Sequence, residues 1–169
     1  DLTVTAAADT YEALVGAAVT VPIQANNIGD VSAETDVNPG VDTWDVSLWT
    51  SADGAFDPLV DTEVGSYTVT TLASGGTVTD NVVFNAPAIG TYTLFGWADS
   101  DEEVTESSEV NNSALLGTLS VGPDLTIAID DAFVTGDEQI PGDRWRIPVQ
   151  VTNGGVGTAS GLATIQLYG

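Results

Sequence analysis

The chain has 169 residues, 25 acids against 2 bases, a formal charge of −23, and neither Cys nor His. Without Cys there is no disulfide framework, thiol nucleophile or zinc–thiolate site. Without His or Lys there is no Ser-His-Asp triad, Schiff base or phosphate-loop lysine, so an enzyme here would run on carboxylates alone, and the charge repels nucleic acid and anionic membranes.

Apolar residues alternate at period two along most of the chain, and no helical stripe of any length interrupts them. Leu2, Val4 and Ala6 open a first strand, and Val19, Val21, Ile23 and Ala25 face inward on a second. Trp44, Val46 and Leu48 form a third, which ends at the Ser51-Ala-Asp-Gly54 turn. A short edge strand is expected between Asp61 and Thr71, then a strand marked by Val78, Val82 and Phe84. Tyr92, Leu94, Gly96 and Ala98 face in on the next, and Leu115, Gly117, Leu119 and Val121 on the last. Turns are expected at Asn26-Asn-Ile-Gly29, Asn38-Pro-Gly40, Gly75-Gly76 and Asn85-Ala-Pro87. Short strands with one apolar face each predict an immunoglobulin-like, two-sheet antiparallel β-sandwich over residues 1–121.

The unit then repeats. Asp1-Leu-Thr-Val aligns with Asp124-Leu-Thr-Ile, Val19 to Gly29 with Trp145 to Gly155, and Ser47-Leu-Trp49 with Gln166-Leu-Tyr168. Pro22 matches Pro148, and both copies of the second strand end in Asn-x-Gly. Gly122-Pro123 therefore reads as a short, stiff linker, and residues 123–169 as the first three strands of a second, incomplete sandwich. Three such strands cannot close a core, so Val149, Val151, Ile165 and Leu167 are expected to lack cover. Residues beyond Gly169, strands added by another chain, or packing on the first sandwich would each supply it. The start on a strand at Asp1 reads as a mature or excised end. No apolar run approaches the ~20 residues of a membrane span.

The run from Trp97 to Ser113 carries the most specific signal. Gly90-Thr-Tyr-Thr-Leu, then Ala98-Asp-Ser-Asp-Glu-Glu-Val-Thr-Glu-Ser-Ser-Glu-Val-Asn-Asn112, resembles the CARDB module, the cell-adhesion-related immunoglobulin-like domain of bacteria and archaea. The proline that usually precedes the opening Asp-Leu is absent at Asp1 and present as Pro123. The resemblance implies a non-catalytic module of surface or secreted multidomain proteins.

Two constellations are candidates for function. Asp99, Asp101, Glu103, Glu106, Glu109 and Asn111, with Asn112 beside them, concentrate hard oxygen ligands, which suits calcium, although the glycine and terminal acid of an EF-hand are missing. The same residue types also fix turns, with Asp99, Glu106 and Asn111 accepting backbone N–H bonds. Alternation separately turns Trp49, Phe95 and Trp97 outward on neighbouring strands, echoed by Tyr168 in the second copy. Such an apolar patch fits a protein interface or a stacked glycan, unless a neighbouring domain or the 50–71 segment covers it. Arg144 and Arg146 flank Trp145 and are expected to pair with acids. Asn111-Asn-Ser113 is the sole glycosylation sequon, a weak signal by itself.

The expected role is thus a non-enzymatic structural or adhesive component of an extracellular assembly: a surface protein, filament or sheath. Its expected partners are copies of itself or neighbouring modules. A glycan- or protein-binding accessory module of a secreted protein, or a virion surface component, is the alternative. The absence of Lys and the excess of Asp over Glu resemble proteins from salt-loving prokaryotes. High salt suits such a surface, since the Debye length falls from ~8 Å near 0.15 M to ~3 Å at 1 M.

Overall fold

A computed structural model describes residues 1–6, 10–36, 40, 42–123, 125–129, 149–156, 158–160 and 164–166. The expectations placed on Asn38, Pro39, Arg144, Trp145, Arg146, Leu167 and Tyr168 lie outside them. Contacts divide the chain into two units, Asp1–Val121 and Gly122–Gly169. All regular structure among the described residues is β, and no helix there is long and apolar enough to cross a membrane.

The first unit contains β1 (Leu2–Ala6), β2 (Thr10–Ala13), β3 (Ala18–Asn27), β4 (Ala33–Glu34), β5 (Trp44–Ser51), β6 (Thr62–Val69), β7 (Thr71–Leu72), β8 (Thr77–Asn85), β9 (Gly90–Ala98) and β10 (Ser113–Val121). They form a three-stranded sheet, β1-β3-β8, and a five-stranded sheet, β2-β10-β9-β5-β6, with β4 and β7 pairing separately. The predicted inward rows meet in one core, where Leu2, Val21, Ile23, Trp44, Val46, Leu48, Leu94 and Leu119 have no exposed surface. The Tyr67 hydroxyl on β6 donates to the Ile23 carbonyl on β3 at 3.1 Å and ties one sheet to the other. Burial pushes this phenol up to about 12, so it stays a donor across the physiological range.

Two departures from strict alternation have identifiable causes. The β9–β10 register shifts between Leu115 and Gly117, so Leu116 is buried while Leu115 is 63% exposed. Leu115 and Gly117 are therefore not the inward pair that a period of two predicts. Gly96 makes the room: a Cβ there would stand 3.0 Å from Leu116 Cδ1. The second departure is β2, which alternation does not reveal. It pairs in parallel with β10, and only Ala13 among its four residues is buried. The chain's first segment thus contributes a strand to each sheet.

The Asn-x-Gly signature closes β3 for two reasons. Asn27 is 1% exposed, and its amide nitrogen donates to the carbonyls of Val31 and Leu72, each at 2.8 Å. Its Oδ1 accepts from Gly29 N at 3.0 Å. Gly29 is required because a Cβ there would lie 2.7 Å from the backbone nitrogen of Asp1.

The second unit contains β11 (Leu125–Ile129) and β12 (Val149–Asn153). Their antiparallel pairs run from Leu125↔Asn153 to Ile129↔Val149. Those of β1 and β3 run from Leu2↔Asn27 to Ala6↔Ile23. Each residue of β11 therefore meets the β12 residue that the alignment assigns to it. The turn recurs as well, with Gly155 N donating to Asn153 Oδ1 at 3.2 Å.

Candidate functional site

The acidic turn grows out of the end of β9. Asp99 is 1% exposed and left-handed, at φ 53°, a conformation that Asp tolerates better than most residues. Its carboxylate accepts from Glu103 N and Val104 N, both at 2.9 Å, which offsets the strain and closes the loop. Its own N–H donates to the Asp45 carbonyl at 2.7 Å, and Glu102 N donates to its carbonyl at 3.1 Å.

Beyond this loop the chain folds back onto its own start. The Glu106 side chain is fully inaccessible and lies 3.7 Å from the α-amino group of Asp1. Glu106 also accepts a very short bond from Leu2 N. Asn111 Nδ2 and Ser107 Oγ donate to the Asp1 carboxylate at 2.8 and 3.3 Å. Asn112, 2% exposed, directs its amide nitrogen at Glu106 Oε1 and Glu109 Oε2, 3.0 Å from each.

Of the six residues expected to ligate an ion, the fold brings together three. One carboxylate oxygen each from Asp99, Glu106 and Glu109 lies within 4.8 Å of the others. Asp101 and Glu103 are exposed and stand outside this triad. Asn111 does not accept a backbone N–H as expected of a turn-fixing residue, because its amide is held by Asp1. That bond also engages the nitrogen a glycan would need. Asn112, which the sequence sets beside the six, is the buried member of the pair. Burial, first, and then the neighbouring acids push the Asp99 and Glu106 carboxyls up, partly offset by their N–H donors.

The aromatic residues do meet on the outer face of the five-stranded sheet, where Trp49 pairs with Phe95 and Ser47 with Trp97. They are half-buried rather than openly exposed, and the reason is Phe56, from the loop after β5. Its ring centroid lies 5.8 Å from Trp49, 5.3 Å from Phe95 and 5.4 Å from Trp97. The two Trp rings are 6.1 Å apart and tilted by 47°. Trp49 Nε1 donates to Ser47 Oγ at 2.8 Å, which satisfies its polar end beneath the cluster. Leu115, brought outward by the bulge, sits opposite Phe95 and extends the patch.

The sheet order and the hairpin folded back onto the first strand define an immunoglobulin-like module with an acidic last turn. The CARDB family model matches residues 1–115, and the chain belongs to that family, one of non-catalytic, cell-adhesion-related modules of bacteria and archaea. The chain is similar to the crystal structure of the CARDB domain of the PF1109 protein from Pyrococcus furiosus in complex with di-metal ions. The TM-score is 0.53 at 19% identity, covering 72% of this chain and 88% of that one. The solution structure of the same domain gives 0.50 at 19% identity, covering 72% and 94%. At this identity the likeness establishes the fold alone. No curated protein matches the sequence.

Proposed function

We propose that the chain is a non-enzymatic structural or adhesive segment of an extracellular assembly, built from tandem CARDB modules that join copies of themselves. The observation that carries this is the second unit. It repeats the β1–β3 register, yet Leu125, Ile127, Ile129 and Val151 are 47, 58, 45 and 46% exposed. The counterparts of Leu125, Ile127 and Val151, which are Leu2, Val4 and Ala25, are 0, 2 and 0% exposed, and Ala6, the counterpart of Ile129, is half-buried. Apolar strands in this register are made to be covered by an opposing sheet, and strand addition from another copy supplies one. The half-buried aromatic face is a second contact surface. Rings set edge-on and tilted suit an irregular protein surface better than the flat face of a sugar, so self-contact is favoured over glycan binding.

A hard cation at the acidic turn belongs to this reading, supported by the di-metal complex of the Pyrococcus domain. High salt and an extracellular setting also fit the charge of −23, which screening must moderate before copies can approach. Sedimentation velocity at rising protein concentration in 1–3 M NaCl tests the assembly. Reversible oligomers are expected, with Ile127→Asp reducing them strongly and Trp97→Ala partly. Monomers under all conditions, or oligomers indifferent to both substitutions, would contradict it.

A further inference from the structure

We propose that Asp99, Glu106 and Glu109, together with the side-chain carbonyl of Asn112, hold one calcium ion that clamps the first strand to the acidic turn. This rests on the cation part of the function proposed above and not on its assembly part.

Spacing selects the ion. Three oxygens no more than 4.8 Å apart share a centre within about 2.8 Å, a few tenths beyond Ca–O distances of about 2.3–2.6 Å. Magnesium, at about 2.0–2.1 Å in strict octahedral geometry, would need a much larger contraction. Three carboxylates and an amide oxygen leave two to four positions of the usual six to eight for water.

Asn112 is the independent observation. It is 2% exposed, and its Oδ1 is buried without any hydrogen-bond partner. Its amide lies against Glu106 and Glu109, with the nitrogen 3.0 Å from both. Without a cation, the amide nitrogen supplies a neutral side-chain donor that these two acids share. Half a turn about Cβ–Cγ exchanges nitrogen and oxygen, which differ little in shape. It brings the unpartnered carbonyl into the triad, where facing two carboxylates is favourable only around a cation. Asn111, just before it in the chain, leaves a second buried Oδ1 without a partner.

The consequence is mechanical. Glu106 holds Leu2 N at the start of β1, and Asp99 holds the 103–104 amides. An ion shared by both acids therefore joins the first strand, the end of β9 and the last turn.

Calorimetric titration of the full chain with calcium chloride, after chelator removal and at low ionic strength, tests the site. One saturable site is expected, weakened at least about tenfold by Glu109→Gln and by Asn112→Ala. Glu109 is exposed, so Glu109→Gln should fold and melt as the wild type does in chelator, whereas Asn112→Ala is expected to melt lower. Asp80→Asn, remote on β8, should bind like the wild type. Hydrogen exchange at Leu2, Glu103 and Val104 should slow with calcium. Heat without saturation, unchanged affinity in Glu109→Gln, or an equal rise in melting with NaCl at matched ionic strength would overturn the site. Monomers with calcium binding intact would sink the assembly reading alone, whereas oligomers formed without any calcium site would sink this one alone.

Discussion

The pairs β1–β3 and β11–β12 present the same interaction in two environments. Both are antiparallel with five matched pairs, and both end in an Asn whose Oδ1 accepts from the Gly two residues on. In the first, Leu2 has no exposed surface; in the second, its counterpart Leu125 is 47% exposed. Strand pairing and turn chemistry are thus local properties that the sequence carries twice. Burial is not local, because it needs β5, β9 and β10 across the core. A sheet pair can be specified without being covered, and the uncovered copy is where the proposed assembly would act.

The largest test uses one substitution twice. Leu2→Ala should cost about 2–5 kcal/mol of the first unit's stability, since its pocket is closed on all sides. Leu125→Ala in the dilute chain should cost about 0.5 kcal/mol or less. Denaturant unfolding of each variant checks this, and equal costs would break the contrast. In assembled material Leu125→Ala should instead weaken oligomers. A smaller difference is expected at the turns. Asn27→Ala loses two buried donors and one acceptor and should cost about 2–3 kcal/mol, while exposed Asn153→Ala should cost about 0.5–1.5 kcal/mol. The same unfolding curves report it.

The smallest effect belongs to the acidic turn. Burial is the first cause that raises the carboxyls of Asp45, Asp99 and Glu106, and neighbouring acids add to it. In the folded chain they hold protons to higher pH than in the unfolded chain, where they titrate near 4. Their contribution to stability is complete below the unfolded values and is lost as pH rises through the raised folded ones. In chelator, the melting point of the first unit should therefore fall as pH rises from about 4 towards neutrality. Calcium should flatten or reverse that slope. A melting point that rises with pH in chelator would contradict this assignment.

The inward rows of β1, β3, β5, β8 and β9 were legible because a buried face writes itself at period two. β10 was misread at Leu115, since a bulge shifts the phase and its signal, Gly96, lies on the neighbouring strand. β2 was invisible because its parallel partner is distant in sequence and only Ala13 is buried. At the acidic turn the density of acids was plain, but which acids converge was not. Asp99, Glu106 and Glu109 meet through a loop closed by two left-handed residues, Asp99 and Glu102, and anchored on Leu2, more than a hundred residues away. The 50–71 segment was legible as a cover for the aromatic patch, but Phe56 within it was not, since it comes from an irregular loop with no period to read.

Residue-resolved hydrogen exchange of the full chain at increasing protein concentration in high salt tests the central claim most directly. Val4 and Ala25 should be protected at every concentration. Ile127 and Val151 should exchange quickly when dilute and slow by at least about tenfold as copies assemble. Equal protection of both pairs in dilute solution, or fast exchange of the second pair at every concentration, would contradict it.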